Sequence, residues 1–120
     1  MQSSKSILRA PSGSGWYKNE KTYDWNPKDS GRVKTMTYSA SGYFKWCNGD
    51  VSVTNPAGMV TGVPSNMTVS NRETTSGTGR YGFIFNKYAY VKFSFTCTYF
   101  VGTKSDFDVT IKVSENGNVG

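Results

Sequence analysis

Histidine is absent from these 120 residues, and leucine occurs once, as Leu8. Without imidazole there is no Ser-His-Asp or Cys-His nucleophile arrangement and no His-ligated zinc or haem site, because the ring is the proton acceptor or the ligand in each. Without leucine a helical bundle is out of reach. Ala, Leu, Met, Glu and Gln together supply 13 residues, whereas Val, Ile, Thr, Tyr, Phe and Trp supply 45, the preference of strands. No run approaches the ~20 apolar residues of a membrane helix, and no internal repeat is present. Acidic residues are scarce as well, 8 against 14 Lys and Arg, for a formal charge of +6.

Charged residues make up only 18%, so the surface must be built from Ser, Thr, Asn and Gly, a polar-neutral composition found on secreted proteins. Aliphatic side chains are few, but three Trp, eight Tyr and seven Phe each bring roughly 150–250 Å² of buriable surface. The expected core is therefore aromatic. Length alone fits one domain.

Two cysteines, Cys47 and Cys97, lack the spacing of a zinc set. An extracellular setting favours their pairing as a disulfide, which would close a loop of about 50 residues and contribute about 4 kcal/mol in the chain-entropy picture. The alternative is two separate small side chains. Met1 is followed directly by Gln2-Ser3-Ser4-Lys5 with no apolar h-region, which reads as a mature secreted domain carrying a start methionine.

Along the chain, residues 1–14 read as a flexible basic leader, 15–114 as the folded domain and 115–120 as a Gly/Asn tail. Short strands are expected between Gly15 and Gly31, with turns at Asn26-Pro27 and Asp29-Ser30-Gly31. Val33 to Ala40 suits a strand ending in a turn at Ser41-Gly42. Asn48-Gly49 is the strongest hairpin signal, because both residues accept positive φ. A two-residue loop there pairs Trp46 with Val51 and Phe44 with Val53, a hairpin over 43–54 that leaves Cys47 on the polar face.

Asn55 to Pro64 and Asn71 to Gly79 read as loops around a short strand at Asn66 to Ser70. From Ala89 to Val101, alternate residues are apolar. After a turn at Gly102 to Ser105, Phe107, Val109, Ile111 and Val113 alternate with polar neighbours, giving a long hairpin over 89–114 with one buried face. The expected fold is all-β, a single small antiparallel β-sandwich or small β-barrel.

Candidate sites are sparse. Gly77-Thr78-Gly79-Arg80-Tyr81-Gly82 matches the spelling of a dinucleotide fingerprint, but that motif needs a strand before it and a helix N-terminus after it. Here a polar loop precedes it and Phe83-Ile84-Phe85 follows, so nucleotide binding is rejected. Asp106 and Asp108 point the same way on one strand, about 7 Å apart, a spacing a carboxylate hydrolase would use and an ordinary wet face would share. Asp24 to Gly31 gathers oxygen ligands but lacks EF-hand spacing. Asn66-Met67-Thr68 is an N-glycosylation sequon.

The first 34 residues hold seven basic and three acidic side chains, interleaved with aromatics. Trp16, Tyr17, Lys18, Lys21, Tyr23 and Trp25 are the candidate binding surface; the alternative is that these rings are core. The functional expectation is a non-catalytic binding domain, secreted or on a bacterial cell surface. Its partner would be an envelope polymer, a glycan or a protein, bound through this surface or through 55–65 and 71–80. A toxin-like or bacteriocin-like protein acting on a target envelope is the alternative, and a hydrolase a weaker third. Nucleic acid is disfavoured, since the charge forms no concentrated stripe, and no cofactor is implied.

Overall fold

The computed structural model describes residues 12–25, 34–81 and 86–120. Six strands follow one another: β1 (Ser12–Trp25), β2 (Lys34–Cys47), β3 (Asp50–Thr61), β4 (Met67–Arg80), β5 (Lys87–Tyr99) and β6 (Lys104–Ser114). They form two three-stranded antiparallel sheets in chain order, β1-β2-β3 and β4-β5-β6. The all-β expectation holds, and the arrangement is that of a small β-sandwich.

The pleat explains how so few aliphatic residues make a core, since alternate side chains of each strand share one face. From β2 come Met36, Tyr38, Ala40, Phe44 and Trp46; from β5 come Ala89, Val91, Phe93, Phe95 and Cys97; from β6 come Val109, Ile111 and Val113, all buried. Phe95 sits at the hub. Its ring is 5.4 Å from both Phe93 and Phe107, stacked on the latter, and Tyr38 meets it edge-on at 5.3 Å. At one open side Asn19 of β1 donates its amide N–H to the Thr110 carbonyl at 2.8 Å, tying β1 to β6.

The Asn48-Gly49 turn forms as the sequence requires, with φ of 51° and 80°, and the register pairs Trp46 with Val51 and Phe44 with Val53. The alternating faces of β5 and β6 are likewise found where periodicity put them. Several boundaries differ. Ser12 to Ser14, inside the segment that reads as leader, are paired with β2, and β1 is one strand of 14 residues rather than several short ones. The expected turn at Ser41-Gly42 is absent, because β2 continues through it.

The two segments read as loops are strand as well. β3 extends to Thr61 and β4 from Met67 to Arg80. Each absorbs its irregular residues in a bulge. Asn55 and Pro56 together face Gly42 on β2, between the pairs Ser41↔Ala57 and Tyr43↔Thr54. Asn71 and Arg72 together face Phe95 on β5, between Ser70↔Thr96 and Glu73↔Ser94. Both asparagines are left-handed, φ 53° and 55°, a conformation their short side chains tolerate. Residues 115–120 fold back on β6, with Ser114 N–H donating to the Asn118 carbonyl and Lys112 and Gly120 exchanging two backbone bonds. The leader residues 1–11, the turn signals and oxygen cluster at 26–31, and Phe83-Ile84-Phe85 lie outside the described residues.

The disulfide is corrected: Cys47 and Cys97 are both free, the first exposed and the second buried. Cys97 points into the core, with its Sγ 3.8 Å from the Met36 sulfur. Cys47 lies 11 residues further along β2 than Met36, about 36 Å at strand rise, while a disulfide needs Cα atoms within about 7 Å. Burial also raises the Cys97 thiol pKa, so it is a poor nucleophile. Titration with a thiol reagent is expected to show one fast group in the native protein and two after denaturation, with Cys47→Ser removing the fast one. An intact mass that rises by two protons on reduction would contradict this.

Candidate functional site

Because side chains alternate along a strand, the β1 surface read from sequence divides between two faces. Trp16 and Lys18 point outward. Trp16 is 62% exposed, its ring 5.3 Å from Tyr43, whose hydroxyl donates to Ser14 Oγ at 2.8 Å. Lys18 is joined to Glu20 at 3.2 Å. Tyr17, Lys21 and Tyr23 belong to the opposite face, by their pairing with Gly42, Tyr38 and Met36. Tyr17 packs 6.2 Å from Phe44 and Tyr23 edge-on 5.2 Å from Phe107, both serving the core, while Lys21 stays exposed. Trp25 ends the strand, paired with Lys34.

A more coherent aromatic surface stands on the outer face of the other sheet. Tyr88 and Tyr90 occupy the wet positions at the start of β5, and the register puts Gly79 and Gly77 of β4 directly beside them. These glycines matter because they have no Cβ. A Cβ on Gly79 would stand 2.6 Å from the Tyr88 hydroxyl, and one on Gly77 would stand 3.3 Å from the Tyr90 ring. The two rings therefore reach across the neighbouring strand and are half-buried. Tyr81 extends the row, 4.7 Å from Tyr88, with Tyr90 6.3 Å away on the other side. The Lys112 ammonium lies 4.7 Å from the Tyr88 ring centroid, an attraction to the π face.

Beside Tyr81 opens a recess of about 240 Å³ lined by Asn86, Ser114, Asn116 and Asn118. Its rim is fixed: the Ser114 hydroxyl accepts the backbone N–H groups of Asn116 and Asn118 at 3.2 and 3.1 Å, and Tyr81 N–H donates to the Asn86 carbonyl. The three asparagine amides are exposed, each with donors and acceptors to offer. Aromatic rings next to exposed amides can stack on the C–H face of a sugar ring and hydrogen-bond its hydroxyls.

The remaining sequence candidates fall elsewhere. Asp106 and Asp108 are exposed on the same outer face but at its far end; Asp106 accepts a hydrogen bond from the Thr96 hydroxyl at 2.7 Å, and Thr96 in turn faces the Asn71 amide at 3.4 Å. They stand on an open ladder rather than in a cleft. Gly77 and Gly79 are in a strand, not in the flexible loop expected, and Gly82 lies outside the described residues. Among the described residues no three Cys, Asp or Glu side chains converge on a metal position, and no helix is long and apolar enough to cross a membrane.

The sequence held a signal for this platform, in tyrosines at i and i+2 on the wet face of an alternating strand. A Gly-x-Gly that spells part of a phosphate loop serves here to make room for rings on the adjacent strand. The chain matches no protein-family model, no curated protein and no solved structure.

Proposed function

We propose that this chain is a non-catalytic glycan-binding module that works outside the cell or at a cell envelope. The observation that carries the reading is the row Tyr81, Tyr88 and Tyr90, its rings tilted by 50° and 58° to one another, with Tyr88 and Tyr90 reaching over Gly79 and Gly77 and the asparagine-rimmed recess continuing it. The polar-neutral surface and a charge of +6 suit an envelope polymer, since a cationic domain is drawn toward anionic surfaces.

Binding to immobilised cell-wall polysaccharides tests the proposal. Tyr88→Ala is expected to weaken retention about tenfold, the loss of one stacking interaction of about 1 kcal/mol together with its neighbour's support, while circular dichroism stays that of the parent. No retention of the parent on any polysaccharide, or equal retention of Tyr88→Ala, would defeat it.

A second reading, a toxin-like protein acting on a target membrane, draws on one feature. Phe100 and Val101 are 81% and 69% exposed at the β5–β6 turn, which is held by Tyr99 N–H to the Thr103 carbonyl and Phe100 N–H to the Asn66 carbonyl. Dye release from anionic vesicles that disappears in Phe100→Ser would favour it over glycan binding.

A further inference from the structure

The outer face that bears the tyrosines is polarised in charge. The register of β4, β5 and β6 places Tyr88, Tyr90, Lys92 and Lys112 in one half and Glu73, Asp106 and Asp108 in the other, where Lys104 at the far end offsets one of the three carboxylates and leaves that half net negative. Among the described residues the ion pairs are Lys18–Glu20 and Lys87–Asp50, so neither Lys92 nor Lys112 is neutralised by a carboxylate. Lys112 rests over the Tyr88 ring, and Lys92 follows Tyr90 two residues along the same strand, about 7 Å further on. Both ammonium groups thus border the stacking surface.

We infer that the preferred ligand is an acidic polysaccharide, whose repeating anionic groups meet Lys92 and draw the Lys112 ammonium off the Tyr88 ring, so that its sugar rings stack on Tyr88 and Tyr90. This deepens the glycan reading of the same face and rests on it. Charge complementarity also sets the path of the polymer. Glu73, Asp106 and Asp108 repel an anionic chain, so it leaves Lys92 toward Tyr81 and the recess instead of running the length of β5. The anion is a carboxylate or a phosphodiester, two sources of the same chemistry.

Titrations with polygalacturonate, poly(glycerol phosphate) and neutral hydroxyethylcellulose separate the possibilities. The parent is expected to bind at least one anionic polymer about 25-fold more tightly than the neutral one, about fivefold for each lysine at the strength of an exposed ion pair. Which anionic polymer is preferred identifies carboxylate or phosphodiester. Lys92→Gln with Lys112→Gln should erase the preference and keep the weak neutral binding, while Lys18→Gln with Lys45→Gln, on the other sheet, should leave it intact. Asp108→Asn should tighten anionic binding about twofold. Equal affinity for neutral and anionic polymers, with both lost in Tyr88→Ala, would overturn the acidic preference and leave the glycan reading standing. Anionic binding that survives the Lys92/Lys112 substitutions would overturn it too, and absence of binding to all three polymers would remove both.

Discussion

Phe95→Ala is expected to lower the folding free energy by about 3–5 kcal/mol, the range for removing a buried phenyl ring. Phe95 is 2% exposed, and its ring meets those of Phe93, Phe107 and Tyr38, joining Phe93 to the other two. A core without leucine has few flexible side chains, Met36 and Met67 among them, to collapse into the space. Of its ring contacts, Phe107 would keep those with Tyr23 and Tyr38. At about 4 °C per kcal/mol for a domain near this size, the midpoint of thermal unfolding should fall by roughly 12–20 °C. A urea titration showing a loss below about 1 kcal/mol would mean that Phe95 is not the hub.

Gly58→Ala should destabilise by about 1–3 kcal/mol through overpacking. Gly58 is on the inner face of β3, opposite Ala40 on β2, and a Cβ there would run into the ring of Phe93, which is 3% exposed and closely held. The penalty should depend on that ring. In a Phe93→Val background the same Gly58→Ala change should cost at least about 1 kcal/mol less, a coupling that a double-mutant cycle reads directly. Additive effects of the two changes would show that backbone freedom of the glycine, not the close approach, sets its requirement.

Gly58 also shows why parts of the fold were legible and parts were not. Where one face of a strand is apolar and the other wet, as in 89–99 and 105–113, period two gave both the strands and the buried residues. The Asn48-Gly49 turn gave a register correct to the residue. By contrast 55–61 and 71–80 carry little apolar signal on either face. Gly58 sits where Phe93 needs room; Thr74, Ser76 and Thr78 of β4 share the inward side yet stay exposed; Gly77 and Gly79 serve rings on another strand. Each choice answers a neighbour distant in sequence, and turn-forming residues without periodicity look like loops. The β1 candidates divide between two faces for a related reason: adjacent residues such as Trp16 and Tyr17 cannot share a face once the strand forms. The cysteines misled because composition speaks about compartment and says nothing about distance along a strand.

The bulges at Asn55-Pro56 and Asn71-Arg72 have a consequence for behaviour at high concentration. β3 and β4 are edge strands, and a straight edge of 12 or 14 residues rich in Thr and Val would offer a row of free backbone groups on which a second molecule could template itself. The left-handed asparagines break each edge partway along, and Pro56 removes a donor at the break. The outer edge of β6 is occupied near its end by the returning segment through Gly120. Of the four edges β3 and β4 are thus interrupted and β6 is partly covered, while β1 keeps an unbroken edge of 14 residues; replacing Asn55 or Asn71 by a β-branched residue would straighten a second edge and invite strand addition there.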